Sequence, residues 1–233
     1  MKEFLAAREV AFESINVLED DAALAELREA GMGAVPVVAC NDRYVYGVAL
    51  DQVARLLALD FEVVPVLAPA ELITRYERVL RAGVGFAQQI PEDRLGDSLP
   101  NRDRSYVSLA NHMVQIAADF LTIAEGADLR GALAKSEPAT NRTPADLLRR
   151  VGDLQQALAA WLHEVDAAQL QRTVRTYFGD QTLHQVLERA VWHSAQHARQ
   201  LAMVLELLDI EPADPLSAAD LADLPMPQNV WDG

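Results

Sequence analysis

Two histidines four residues apart, His193 and His197, lie in the stretch from Thr182 to Leu208, where Val186, Ala190, Leu201, Val204 and Leu208 recur at helical spacing. On an α-helix four residues turn the chain through roughly 400° and raise it about 6 Å, so both imidazoles stand on the face that carries the apolar stripe. A neutral histidine brings one donor and one acceptor, and leaving either unpaired inside a protein costs roughly 1–3 kcal/mol. Two adjacent rings on a buried face need partners, and a divalent metal ion is one candidate. The other is that each is a core histidine satisfied by a carbonyl or by Gln115 or Gln196.

A third histidine changes the balance. His112 shares a face with Leu109, Ile116 and Phe120 in a second amphipathic stretch, Ser105 to Glu125. If the helices form a bundle, His112 faces inward and meets His193 and His197. Three imidazoles from two helices can hold a divalent ion and leave coordination positions open for water or substrate. Asn111, Gln115 and Gln196 adjoin these ligands in sequence and are candidates for supporting or substrate contacts. His184 is half a turn out of phase with His193 and is expected to face solvent. His163 sits near a helix C-terminus, where the dipole favours a partly charged imidazole. Neither is a candidate ligand.

Four long helices must position these rings. The first spans Glu71 to Gln89, with Leu72, Tyr76, Val79, Leu80, Val84 and Ala87 at three- and four-residue spacing, and the second is Ser105 to Glu125. Thr143-Pro144-Ala145-Asp146 combines an N-cap, a first-turn proline and an acid, and starts a third helix that runs to about Val165. Thr182 and Gln185 form a capping box for the fourth. Between them Ile90–Asp103, Gly126–Arg142 and Asp166–Asp180 read as connections, the last with an extended piece from Thr173 to Phe178. This is the pattern of a four-helix bundle.

The first 60 residues alternate helix and strand instead. Lys2–Glu9 reads as a short helix, Phe12–Val17 as a strand, and Ala22–Ala30 as a helix closed by Gly31. Ala34–Ala39 and Tyr44–Tyr46 form a hairpin across Asn41-Asp42, and Leu50–Leu59 a helix. A proline in an apolar strand needs a reason, and a cis Val35-Pro36 bond is one.

Residues 1–58 resemble a glutaredoxin from its first helix onward, with Val35-Pro36 at the cis-proline position and Gly47–Asp51 at the Gly-containing turn into the last helix. The resemblance implies a glutathione groove lined by Val35, Pro36, Gly47 and Asp51. The family's first strand and cysteine motif would lie before Met1, so the domain reads as truncated and without its thiolate nucleophile. Cys40 does not occupy the catalytic position. The remaining strands must close up or pair with another chain, which makes a homodimer an expectation.

Residues 70–208 resemble the DinB-like superfamily, whose histidine triad maps onto His112, His193 and His197. His197-Ala198-Arg199-Gln200 is similar to the family's run after its last ligand. The superfamily includes thiol-dependent transferases and mycothiol-dependent maleylpyruvate isomerases. The resemblance implies a divalent ion, zinc or nickel foremost and iron as a third choice, with a low-molecular-weight thiol as cosubstrate.

The fold expected is multidomain, α/β followed by all-α. A truncated thioredoxin-like domain over 1–60 precedes a linker over 61–69, a DinB-like four-helix bundle over 70–208, and a Pro-rich acidic tail over 209–233 that packs on the body. The function expected is a metal-dependent, thiol-using transferase or isomerase. Its alternatives are a non-catalytic metal-binding or stress-related module whose α/β domain serves association, and a structural bundle with core histidines.

Charge narrows the partners. A formal net charge of −15 opposes binding to phosphate backbones and anionic membranes, which demand clustered Lys and Arg. Arg102, Arg104, Arg142, Arg149 and Arg150 fall in one half of the chain but read as solvated helix ends and loops. The expected partner is a small molecule. Met1-Lys2-Glu3-Phe4 lacks a signal peptide's apolar core, and the single cysteine cannot form an internal disulfide, so a cytoplasmic location is expected.

Overall fold

The computed structural model describes residues 1–17, 19–47, 49–60, 67–99, 104–135, 142–227 and 229–230, apart from the side chains of Glu3, Asp51 and Lys135. The chain divides into two compact units, Met1–Pro65 and Val66–Gly233. Most of the stretch read as linker, residues 61–66, lies outside the described residues.

In the first unit, helix α1 (Lys2–Ala6) is followed by α2 (Asp21–Glu29), whose N-cap Asp20 accepts from the Ala22 and Ala23 amides. Beyond the C-cap Ala30, Gly31 takes φ +74°, a left-handed conformation that costs glycine little. Strands β1 (Val37–Cys40) and β2 (Arg43–Tyr46) pair antiparallel with Val37 opposite Tyr46, and α3 (Leu50–Leu56) follows. Leu5, Val38, Val53 and Leu56 form the small core. The Val35–Pro36 peptide is cis.

Phe12–Val17, expected as a strand, is irregular, and Phe12 and Ile15 are exposed. An extended segment becomes a strand only beside a neighbour that takes up its amides and carbonyls, and among the described residues the sheet holds only β1 and β2.

The second unit is built on four long helices: α4 (Pro69–Gln89), α5 (Tyr106–Ala124), α7 (Pro144–Glu164) and α9 (Leu183–Leu207). Pro69 opens α4 from within the stretch read as linker, because a proline at the first helical position forfeits no helical hydrogen bond. Ser105, Thr143 and Thr182 cap the other three through their hydroxyls, which accept from the amides of Ser108, Asp146 and Gln185. Shorter elements occupy stretches that read as connections: α6 (Leu129–Lys135), α8 (Ala167–Leu170), and a hairpin of β3 (Thr173–Thr176) and β4 (Gly179–Thr182). A last turn, α10 (Ala218–Leu221), lies in the tail.

Cross-helix contacts give the directions. Asn111 meets Arg142, Gln115 meets Arg150 and Phe120 meets Trp161, so α5 and α7 run parallel. Tyr76 meets Ser194 and Gly83 lies against Ala198, so α4 and α9 also run parallel. Arg172, which leads into the hairpin before α9, donates to the Ile123 carbonyl at the far end of α5, so α5 and α9 are antiparallel. Leu72, Tyr76, Phe86, Met113, Phe120, Leu147, Leu158, Leu187 and Leu201 fill the interior. Helix α5 is long and apolar enough to cross a membrane, and most of it is buried inside the bundle.

The tail lies along the bundle. Gln89 donates to the Glu211 carbonyl and accepts from the Ala213 amide, Arg78 binds both carboxylate oxygens of Asp214 and the Pro215 carbonyl, and Arg75 donates to the Ala222 carbonyl.

Candidate metal centre

Helix α5 presents His112 two turns from its start, and α9 presents His193 and His197 one turn apart. Because the two helices are antiparallel neighbours, the three rings converge. Ring centroids lie 5.5 Å apart for His112 and His193, 4.9 Å for His112 and His197, and 4.8 Å for His193 and His197. One ligand nitrogen from each can be chosen so that all lie within 4.8 Å of one another.

The rings are neutral at physiological pH. Burial lowers His112 to about 3, and the nearby His197 and Arg104 charges act in the same direction. His197 falls to about 4, again chiefly through burial, with a hydrogen bond to Gln200 opposing the shift. His193 is held well below the ordinary histidine value by burial, then by His197, Arg189, His112 and Arg104. A neutral imidazole keeps one lone pair, and that lone pair is what a metal takes.

His197 shows which nitrogen is free. Its Nδ1 lies 2.8 Å from Oε1 of Gln200. An amide oxygen carries no proton, so Nδ1–H donates and Nε2 is left bare. Nε2 is buried with no hydrogen-bond partner. An orphaned buried acceptor beside two other imidazoles fits a divalent cation that it would ligate.

The charge around the cluster is positive despite the acidic chain. Every group that shifts the three histidines electrostatically is a cation or another histidine. Arg189, one turn before His193, places its guanidinium carbon 4.5 Å from the Phe178 ring centroid and 5.2 Å from that of Trp192, and Trp192 stands 5.8 Å from His193. Its pKa is lowered by burial and partly restored by Tyr177.

The amides singled out from sequence are engaged elsewhere. Asn111 Nδ2 donates to the Val107 and Arg142 carbonyls, and its Oδ1 is buried without a partner. Gln115 donates to Asp119 and accepts from Arg150, tying α5 to α7. Gln196 donates to the Asn229 and Val230 carbonyls of the tail. The amide that meets a histidine is Gln200, three residues beyond His197, in the run that resembles the family. His184, expected in solvent, is half-buried, with Nε2 2.7 Å from the Leu67 carbonyl.

In the first unit Pro36 and Gly47 come together. The Gly47 amide donates to the Pro36 carbonyl at 2.8 Å, and a Cβ on Gly47 would stand 3.1 Å from Pro36 Cγ. Val35 is exposed. Val48 and the Asp51 side chain lie outside the described residues. Two clefts of about 260 and 350 Å³ flank the β3–β4 hairpin, lined by Arg172, Arg175, Asp128 and Arg130 among others, and no histidine lines either.

A bundle with three inward histidines shared by its second and fourth long helices defines a metal-binding class. Residues 75–201 match the DinB superfamily, and the chain belongs to it; its members bind divalent metals. The match spans all three histidines. Residues 1–45 match glutaredoxin, giving a short glutaredoxin-like part before the bundle. No curated protein matches the chain at a significant level.

Proposed function

We propose that the protein is a cytoplasmic, metal-dependent transferase or isomerase that uses a low-molecular-weight thiol, with His112, His193 and His197 as ligands. The observation that carries this reading is the buried, partnerless Nε2 of His197 beside two further neutral imidazoles. Three imidazole nitrogens suit zinc, nickel or iron. When bound, such an ion lowers the pKa of a coordinated thiol or water toward neutrality and polarises an electrophile.

The chain's own residues supply the surroundings. Three neutral ligands add no negative charge, and Arg104 and Arg189 add positive charge, so the site attracts an anionic partner. A thiolate, or an electrophile bearing a carboxylate, meets that requirement. Trp192, stacked on Arg189 and beside His193, offers an apolar surface next to the reacting position.

The test is metal content of untagged protein beside His193→Ala. About one ion per chain in the wild type, lost in the variant with helicity retained, is the expected result. A cobalt-substituted protein whose visible spectrum shifts on adding glutathione or another small thiol then supports an open, thiol-accessible position. No metal after reconstitution, or unchanged stoichiometry in the variant, overturns the ligand assignment.

A second role for the first unit rests on its surface. Phe12, Ile15 and Val35 are 43%, 52% and 62% exposed, which favours self-association of this unit. Sedimentation of the full chain as a monomer removes that reading.

A further inference from the structure

The tail carries groups that the proposed chemistry leaves unused. There Pro227, Asn229 and Val230 offer backbone carbonyls to α9 beside the histidines. Arg199 Nη1 donates to the Pro227 carbonyl at 2.7 Å. Gln196 Nε2 donates to the Val230 carbonyl at 2.6 Å and to that of Asn229 at 3.3 Å. Gln200 Nε2 donates to the same Val230 carbonyl at 3.4 Å, while its Oε1 accepts from His197 Nδ1.

We infer that Gln200 and the tail carbonyl of Val230 form a positioning relay that presents the bare Nε2 of His197 to the metal. This rests on the metal-site reading above and adds two parts to it. A glutamine amide has two faces, oxygen and NH2, which differ little in shape. Turned over, it would offer NH2 to Nδ1, and the imidazole would have to carry its proton on Nε2, where no ion could bind. The Val230 carbonyl can only accept, so it selects the orientation in which NH2 faces the tail and oxygen faces His197. Gln196, holding that carbonyl more closely, keeps it in place. Gln200 is a positioning residue, and the Val230 carbonyl is part of the site.

The relay makes distinct demands on three variants of the full chain. Gln200→Leu removes the acceptor, and zinc affinity, measured by competition with a chromogenic chelator, should fall about 10- to 100-fold. Gln200→Glu keeps an oxygen on Nδ1–H, and affinity should stay within about threefold of wild type. Gln196→Leu leaves Gln200 intact and removes the closer bond that holds the Val230 carbonyl, and affinity should fall about 3- to 10-fold. Nitrogen-15 NMR of the imidazoles in the metal-free protein gives a second readout: His197 should hold its proton on Nδ1 in wild type and Gln200→Glu, and divide it between both nitrogens in Gln200→Leu. Gln200→Leu binding zinc as tightly as wild type, or Gln200→Glu as weakly as Gln200→Leu, overturns the relay, and an unchanged Gln196→Leu removes the tail from it. If the wild type binds no zinc, the metal reading fails by itself. The tautomer measurement then still decides whether Gln200 sets His197.

Discussion

Tyr76 Oη lies 3.2 Å from Ser194 Oγ, and both residues are fully buried. Ser194 donates onward to the Met113 carbonyl at 3.1 Å. Its single proton is used there, so the tyrosine hydroxyl is the donor to Ser194, and burial holds the phenol protonated. Ser194 follows His193 and Met113 follows His112. The same three-helix network therefore fixes the register in which the two histidine-bearing helices meet. Ser194→Ala leaves the tyrosine hydroxyl unsatisfied and should cost about 1–3 kcal/mol, whereas Tyr76→Phe, which leaves the Ser194–Met113 bond intact, should cost about 0.5–1.5 kcal/mol. Denaturant titrations check the order, and equal costs would contradict it.

At Gly83 helix α4 packs against Met113 of α5 and Ala198 of α9. A Cβ there would overlap Met113 Sδ and stand 2.6 Å from its Cε, with Ala198 Cβ at 3.3 Å. Met113 is itself fully buried, so a shift of its thioether end has to be taken up within the core. The helix-propensity gain of Gly83→Ala, up to about 1 kcal/mol, should be exceeded by overpacking of about 1–3 kcal/mol. Combining it with Met113→Ala should recover stability relative to the sum of the single changes. Strict additivity of the pair would show that the contact is not the cause.

Acid should destabilise the metal-free protein through its histidines. His112 and His197, near 3 and 4 when folded, regain the ordinary value of 6.5 on unfolding. Between those limits the unfolded chain binds more protons, so stability is full above about pH 7 and declines as pH falls toward 4, by roughly 1 kcal/mol per unit for each histidine. Melting curves from pH 7.5 to 4.5 test this. Replacing His112 with Gln should flatten the decline, and an identical slope in that variant would assign the loss to other groups.

The tail should detach when its arginine clamp is cut. Arg78 holds Asp214 and Pro215 by four hydrogen bonds. Arg78→Ala should open residues 209–217 to limited proteolysis while the bundle core survives, because an exposed ion pair adds little to global stability. Cleavage at the wild-type rate would show that Gln89 and the apolar contacts of Leu224 suffice.

The long helices and the three histidines are legible from periodicity alone. Helix α9 is expected from Thr182 and runs from Leu183, because capping box and apolar stripe agree there. Phe12–Val17 has a strand's composition and fails as one, since pairing depends on residues far away in the chain. Strand β3 falls inside the extended piece expected from Thr173 to Phe178, whereas β4 and α6 are too short for periodicity to reveal and are held by their neighbours. Gln200 stands in plain view beside His197. What no local pattern discloses is that a carbonyl some 30 residues later turns its amide.

The three histidines divide unequally between their helices. His193 and His197 are brought together by one turn of α9 and need nothing else, whereas His112 arrives only when α5 docks against it. During synthesis His112 leaves the ribosome well before its partners and has no ion to hold until residue 197 has emerged. With His112, His193 and His197 as the proposed ligands, a chain with α9 formed and α5 astray would be a two-tooth chelator that releases what it picks up. On the metal-site reading, retention of the ion would mark the molecules in which α5 has docked.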